Sequence, residues 1–178
     1  MRAAAEADAE LNTKDIARGG LLAAAAVALL YIGAAASYIG VAACLVAGVT
    51  SAVPLLRRAR LKTAVMLYMA VSLLALLLVP RKVVVFGYIL LTGLYPIIKY
   101  LIEARLPLRL QTGVKLVFCN VMLAVAGALA SRGFFPQIEV PAFWKLAGLW
   151  FAANIAFIVY DIGLSRLIAV LRRSLPPD

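Results

Sequence analysis

Four ionisable side chains lie within otherwise apolar stretches of the chain: Lys99, Glu103, Lys115 and Asp161. Lys99 and Glu103 are four residues apart, the spacing at which two side chains meet on one helix face. An unpaired carboxylate at membrane depth costs roughly 2.5 kcal/mol or more on insertion scales. Asp161 therefore either carries a proton or faces a cation, and Lys99 and Lys115 fall at the matching depth. The expectation is an interhelical charge cluster of all four residues. Such a cluster can act as a structural staple or as a switch, and the residue types leave both open. For Lys99 and Glu103 a plainer reading is a boundary anchor, because a lysine reaches headgroups from that depth.

Two amides, Asn120 and Asn154, fall near the middle of their apolar runs, where an amide needs a partner. They bond each other or nearby backbone, or they line a ligand cavity. Trp150 precedes Asn154 by four residues and can share its face. With Tyr31, Tyr38 and Arg132 these two form a candidate ligand-binding set at the opposite end from the charges. The plainer account of Tyr31, Tyr38, Tyr88, Trp144 and Trp150 is an aromatic belt at the membrane boundary. The apolar loop around Phe134-Phe135-Pro136 is either a lid over this end or an interfacial loop.

What is missing narrows the chemistry further. The sequence has no histidine, which removes Ser-His and Cys-His nucleophile pairs, HExxH metal sites and histidine relays. Cys44 and Cys119 sit in separate apolar runs and form no CxxC pair, so neither a zinc site nor a redox motif is supported. No catalytic residue, metal or cofactor is expected. Asp161, Glu103 and the lysines could in principle handle a lipid phosphate, but the paired acidic motif such enzymes use is not there.

The elements that must hold these residues follow from composition. At 65% hydrophobic with mean hydropathy +1.01, the chain is far more apolar than the roughly 45 to 50% of soluble domains. A bilayer core about 30 Å thick takes about 20 apolar residues per helix, so 178 residues hold at most about six spans with short loops. The runs lack the alternation of barrel strands. The expected fold is therefore all-α, a polytopic integral membrane protein with a six-helix transmembrane bundle.

Residues 1–18 form a polar, mixed-charge leader, expected as a cytoplasmic tail. From Gly19 to Leu56 no charge interrupts the sequence, which at 1.5 Å per residue is nearly twice the bilayer thickness. The chain must therefore turn, between Gly33 and Gly40. The expected spans are 19–35, 39–56, 62–79, 83–102, 112–131 and 144–171, one domain over 19–171, with a short tail at 172–178. Ala34 and Ala36 form an A-x-A-like site that would suit a signal peptide. Against that, the leader is acidic and the segment runs straight into another span. In the fourth span, Pro96 withholds an N–H from Thr92 and Gly93 loosens the same turn, so a kink is expected.

Orientation comes from Lys and Arg placement. One side receives Arg2, Lys14, Arg18, Arg57, Arg58, Arg60, Lys62, Arg105, Arg109, Arg166, Arg172 and Arg173; the other receives Arg81, Lys82, Arg132 and Lys145. The first side is expected in the cytoplasm, with both termini (N-in/C-in). The net charge of +10 is thereby explained by topology and anionic lipid headgroups rather than nucleic acid. No two halves match, so an inverted-repeat transporter is not supported.

Small residues recur at every fourth position as Gly20, Ala24 and Ala28 in the first span, and as Ala36, Gly40, Cys44, Gly48 and Ala52 around the second. Such stripes let helix backbones approach closely. They serve either packing within this bundle or docking of a partner. With its polar leader Thr13-Lys14-Asp15-Ile16-Ala17-Arg18 running into Gly19-Gly20-Leu21-Leu22 and an alanine run, the chain resembles the substrate-binding S components of energy-coupling factor (ECF) transporters. That resemblance covers the topology and about fifteen N-terminal residues. It implies a six-span membrane subunit in which Gly20, Ala24 and Ala28 dock on a transmembrane coupling subunit with ATPases, and a small-molecule ligand sits near the outer face. The Tyr95–Glu103 and Tyr160-Asp161 segments also resemble membrane proteins of Gram-positive bacteria, which implies no function; the expected location is a bacterial plasma (inner) membrane. Two non-enzymatic readings result: a substrate-binding subunit for a vitamin-like or micronutrient solute, or a scaffold or assembly factor that binds membrane partners through its small-residue faces.

Overall fold

The computed structural model describes residues 13–36, 39–58, 61–134 and 143–174. Those residues form helices α1 (Thr13–Ala35), α2 (Gly40–Arg58), α3 (Leu61–Leu78), α4 (Lys82–Gly87), α5 (Tyr95–Arg105), α6 (Leu108–Ser131) and α7 (Phe143–Ser174). A π-helical turn, Tyr88–Thr92, joins α4 to α5, and the three pieces make one broken rod. No strand occurs among the described residues. Five of the six rods are long and apolar enough to cross a membrane, and α2 carries a shorter apolar stretch, Gly40–Leu55. Length and composition thus suit a multi-pass membrane bundle.

α1 begins at Thr13 rather than at Gly19, so part of the segment expected as a tail is helix. Two glycines close the first turn of the bundle: a Cβ on Gly33 would collide with the Ala43 side chain and stand 3.3 Å from the Gly40 Cα. The turn therefore falls where the uncharged run required one.

The sequence of the fourth rod explains its break. Tyr88 lies back over Gly93, where an added Cβ would stand 2.6 Å from the Tyr88 ring. The wide turn is closed by the Gly93 N–H on the Tyr88 carbonyl at 2.7 Å. Inside a bilayer each backbone group needs a partner, and α3 supplies one, the Tyr68 hydroxyl donating to the Ile89 carbonyl at 2.9 Å. At the neighbouring turn the Lys82 ammonium donates to the carbonyls of Leu76 at 2.5 Å and Val79 at 3.1 Å, satisfying the end of α3.

The core has two larger clusters and a small third one, Leu55, Ala64 and Ile97, that joins α2, α3 and α5. Ala26, Leu30, Ala47, Val71, Val85 and Tyr88 pack α1 to α4 together. Ala52, Tyr95, Cys119, Phe157 and Leu164 pack α5, α6 and α7 onto the far end of α2. The broken rod belongs to all three. From Trp144 to Ala152 every residue of α7 is exposed among the described residues.

Candidate functional site

The four ionisable residues singled out in the sequence meet at one end of the bundle. Pro96 lies in the first turn of α5, and Lys99 and Glu103 follow on the face toward α6 and α7, where their side chains pair at 2.9 Å. Lys99 also pairs with Asp161 and donates to the Ser165 hydroxyl at 2.7 Å. Lys115 binds Glu103 at 2.7 Å and Asp161 at 3.2 Å. Each lysine thus bridges both carboxylates, and two positive charges meet two negative ones.

Burial decides what this arrangement can do. Lys99 is 2% exposed and Lys115 6%, whereas the Glu103 side chain keeps 41% of its surface open. A lysine sealed away from headgroups cannot serve as a snorkelling anchor, so that reading of Lys99 is set aside. Two ammonium groups at this burial need every bond they make, and both carboxylates are held by them. The geometry is that of a four-membered ionic clamp across α5, α6 and α7.

Two further groups complete it, Tyr95 and Ser165. The Tyr95 hydroxyl donates to Asp161 Oδ1 at 2.5 Å, and its ring meets Phe157 edge-on with centroids 4.7 Å apart. Ser165 donates back to the Asp161 carbonyl at 2.8 Å. Neither was singled out as a partner from sequence. The signal was present in their spacing: Tyr95 is one turn before Lys99, and Ser165 one turn after Asp161.

Toward the middle of the bundle, Asn120 and Asn154 bond each other reciprocally at 3.0 and 3.2 Å. Each also donates to a carbonyl one turn back, Leu116 at 2.8 Å and Trp150 at 2.9 Å. The pair is a second, neutral tie between α6 and α7. Of the residues expected to bind a ligand, Asn154 is therefore engaged here. Tyr31 and Trp150 are half exposed on their helices, and Arg132 is exposed at the end of α6. No side-chain hydrogen bond or ring contact joins these three among the described residues. Tyr38, and the part of the expected lid at 135–142, lie outside the described residues. Tyr88 is fully buried and hydrogen-bonded to Ser51 at 3.2 Å, so it leaves the aromatic belt. Trp144 is 70% exposed with the Lys145 ammonium over its ring, as a belt residue would be.

The two small-residue stripes part company. Gly40, Cys44, Gly48 and Ala52 are buried within the bundle, and a Cβ on Gly48 would stand 2.8 Å from the Thr92 carbonyl carbon. Gly20, Ala24 and Ala28 are all exposed, with nothing within 4 Å of a Cβ placed on Gly20. The buried face of α1 is instead Ala23, Ala26, Val27 and Leu30. Among the described residues no group of His, Cys, Asp and Glu has a metal-binding arrangement. No protein-family model, curated protein or solved structure matches the chain.

Proposed function

We propose that this chain is a non-enzymatic, six-span membrane subunit, with both termini in the cytoplasm of a bacterial cell, that docks another membrane protein on the outward face of its first span. The observation that carries this reading is the sorting of the two small-residue stripes. The α2 stripe is used up inside the bundle, while Gly20, Ala24 and Ala28 remain outward on a helix whose other face is packed. Lipid tails are as apolar as leucine, so an outward stripe of small residues gains by close backbone approach to another helix. The charge clamp and the asparagine pair then serve to hold α5, α6 and α7 as one rigid support.

A scaffold or assembly role needs nothing more than this. The second reading is a solute-capturing subunit like the S components, with the coupling subunit and its ATPases as the docked partner. It draws support from the exposed stretch of α7 between Trp144 and Ala152, where the half-exposed Trp150 is open to a small solute. The two readings separate on purification in native lipid. Recovery of an ATPase-linked membrane partner, lost in the Ala24→Leu variant, supports solute capture. Recovery of a partner without ATPase subunits, lost in the same variant, supports the scaffold. A chain that purifies alone, with or without that substitution, overturns both.

A further inference from the structure

Between α2, α5 and α7 the basic end of the bundle opens into a cleft of about 50 Å³, lined in part by Ala52, Pro96, Lys99, Glu103 and Ile168. Its rim is Glu103, the most exposed member of the charge clamp. Of its lining residues, Ala52 and Pro96 are next in sequence to Ser51 and Tyr95, and Pro96 is one helical turn from Thr92. Thr92 is 8% exposed, and its hydroxyl bonds no group among the described residues. The buried Tyr160 hydroxyl bonds none either, although its ring packs 5.8 Å from that of Tyr95. Pro96 offers no N–H to the Thr92 carbonyl. Beside them, Ser51 and Tyr88 share one hydrogen bond at 3.2 Å, which leaves each hydroxyl capacity for another.

Unpaired hydroxyls and a loosened backbone are costly in hydrocarbon, and the cleft offers a remedy. A water molecule needs roughly 10 to 15 Å³ of such space and two to four polar partners, so the cleft has room for several. We infer that ordered water enters through this cleft and is held by Thr92 and Tyr160, forming a hydrated half-path from the basic end to the break in the fourth rod. A bound cation fits less well, since the adjacent clamp sets two lysines against two carboxylates and has no negative charge to spare. Water inserted into the hydrogen-bond ladder is one of the recognised causes of such breaks. The half-path accounts for why the wide turn at Tyr88–Thr92 is tolerated inside an apolar rod.

The test is hydroxyl-radical footprinting of the whole chain in lipid nanodiscs with ¹⁸O-labelled water. Labelling of Tyr160 several-fold above Phe118, likewise a partly buried aromatic of the same cluster, is expected, and equal labelling of the two overturns the proposal. Thr92→Val and Tyr160→Phe supply an opposite-sign check, because both keep the shape of the side chain. A hydroxyl bonded to water stabilises the fold, so each substitution lowers the melting temperature. A dry orphan is relieved by removal, so an unchanged or raised melting temperature counts against the half-path. Neither result bears on the docking face of α1.

Discussion

Asp161 concentrates the residue-scale argument. It accepts bonds from Lys99, Lys115 and Tyr95, so neutralising it leaves two buried lysines to share Glu103. Removing one partner from a buried ionic pair costs about 3 kcal/mol, and Asp161→Asn is expected to lose about that much stability, read as reversible unfolding in detergent. Glu103→Gln is expected to lose less than about 1 kcal/mol, because this carboxylate is partly exposed and Asp161 still serves both lysines. Equal losses from the two substitutions would show that burial does not rank them. The meeting of these four residues was legible in the sequence because charge at membrane depth has few ways to be satisfied. Tyr95 was not read as a member despite its one-turn spacing from Lys99, because a tyrosine in an apolar run is as readily a belt or packing residue. Its role emerges only once α7 is placed against α5.

At the scale of the elements, glycine position separates packing from docking. Gly48 faces the Thr92 backbone with no space for a Cβ, whereas Gly20 faces open space. Gly48→Ala is therefore expected to destabilise the bundle by about 1 to 3 kcal/mol, the usual range for overpacking. Gly20→Ala is expected to stay within about 0.5 kcal/mol of the parent. Thermal unfolding of the two variants side by side checks both, and a Gly20→Ala loss matching that of Gly48→Ala would place the α1 stripe inside the fold. Sequence spacing identified both stripes but not which one the bundle would consume, since small residues every fourth position look alike on either face. The kink at Pro96 was readable from the missing N–H. The π turn preceding it was not, because it depends on Tyr88 finding room over Gly93 and on Tyr68 reaching from α3 to Ile89.

For the whole molecule, the balance of charge and apolar surface sets the frame. Arg18, Lys62, Arg105, Arg109 and Arg166 are exposed at the end where Glu103 and Asp161 are already occupied by lysines, which leaves a basic rim suited to anionic headgroups. Single cysteines placed at Lys62 and Arg105 in a chain lacking Cys44 and Cys119 are expected to be shielded from an impermeant maleimide in intact cells, while one at Arg132 reacts; the reverse pattern would invert the topology. Hydropathy made the helical class readable, because the bilayer constrains it strongly, while the orientation proposed from charge placement rests on the maleimide pattern. A solute site was less readable, as Tyr31, Arg132 and Trp150 are brought together by no contact among the described residues. The central claim is that the outward face of α1 docks another membrane protein, and the most direct measurement is photo-crosslinking in native membranes. A photoreactive residue in place of exposed Ala24 is expected to yield a discrete adduct with a different membrane protein, while the same residue at buried Ala26 yields none. Crosslinks from Ala24 to lipid alone, or equal protein adducts from both positions, would contradict it.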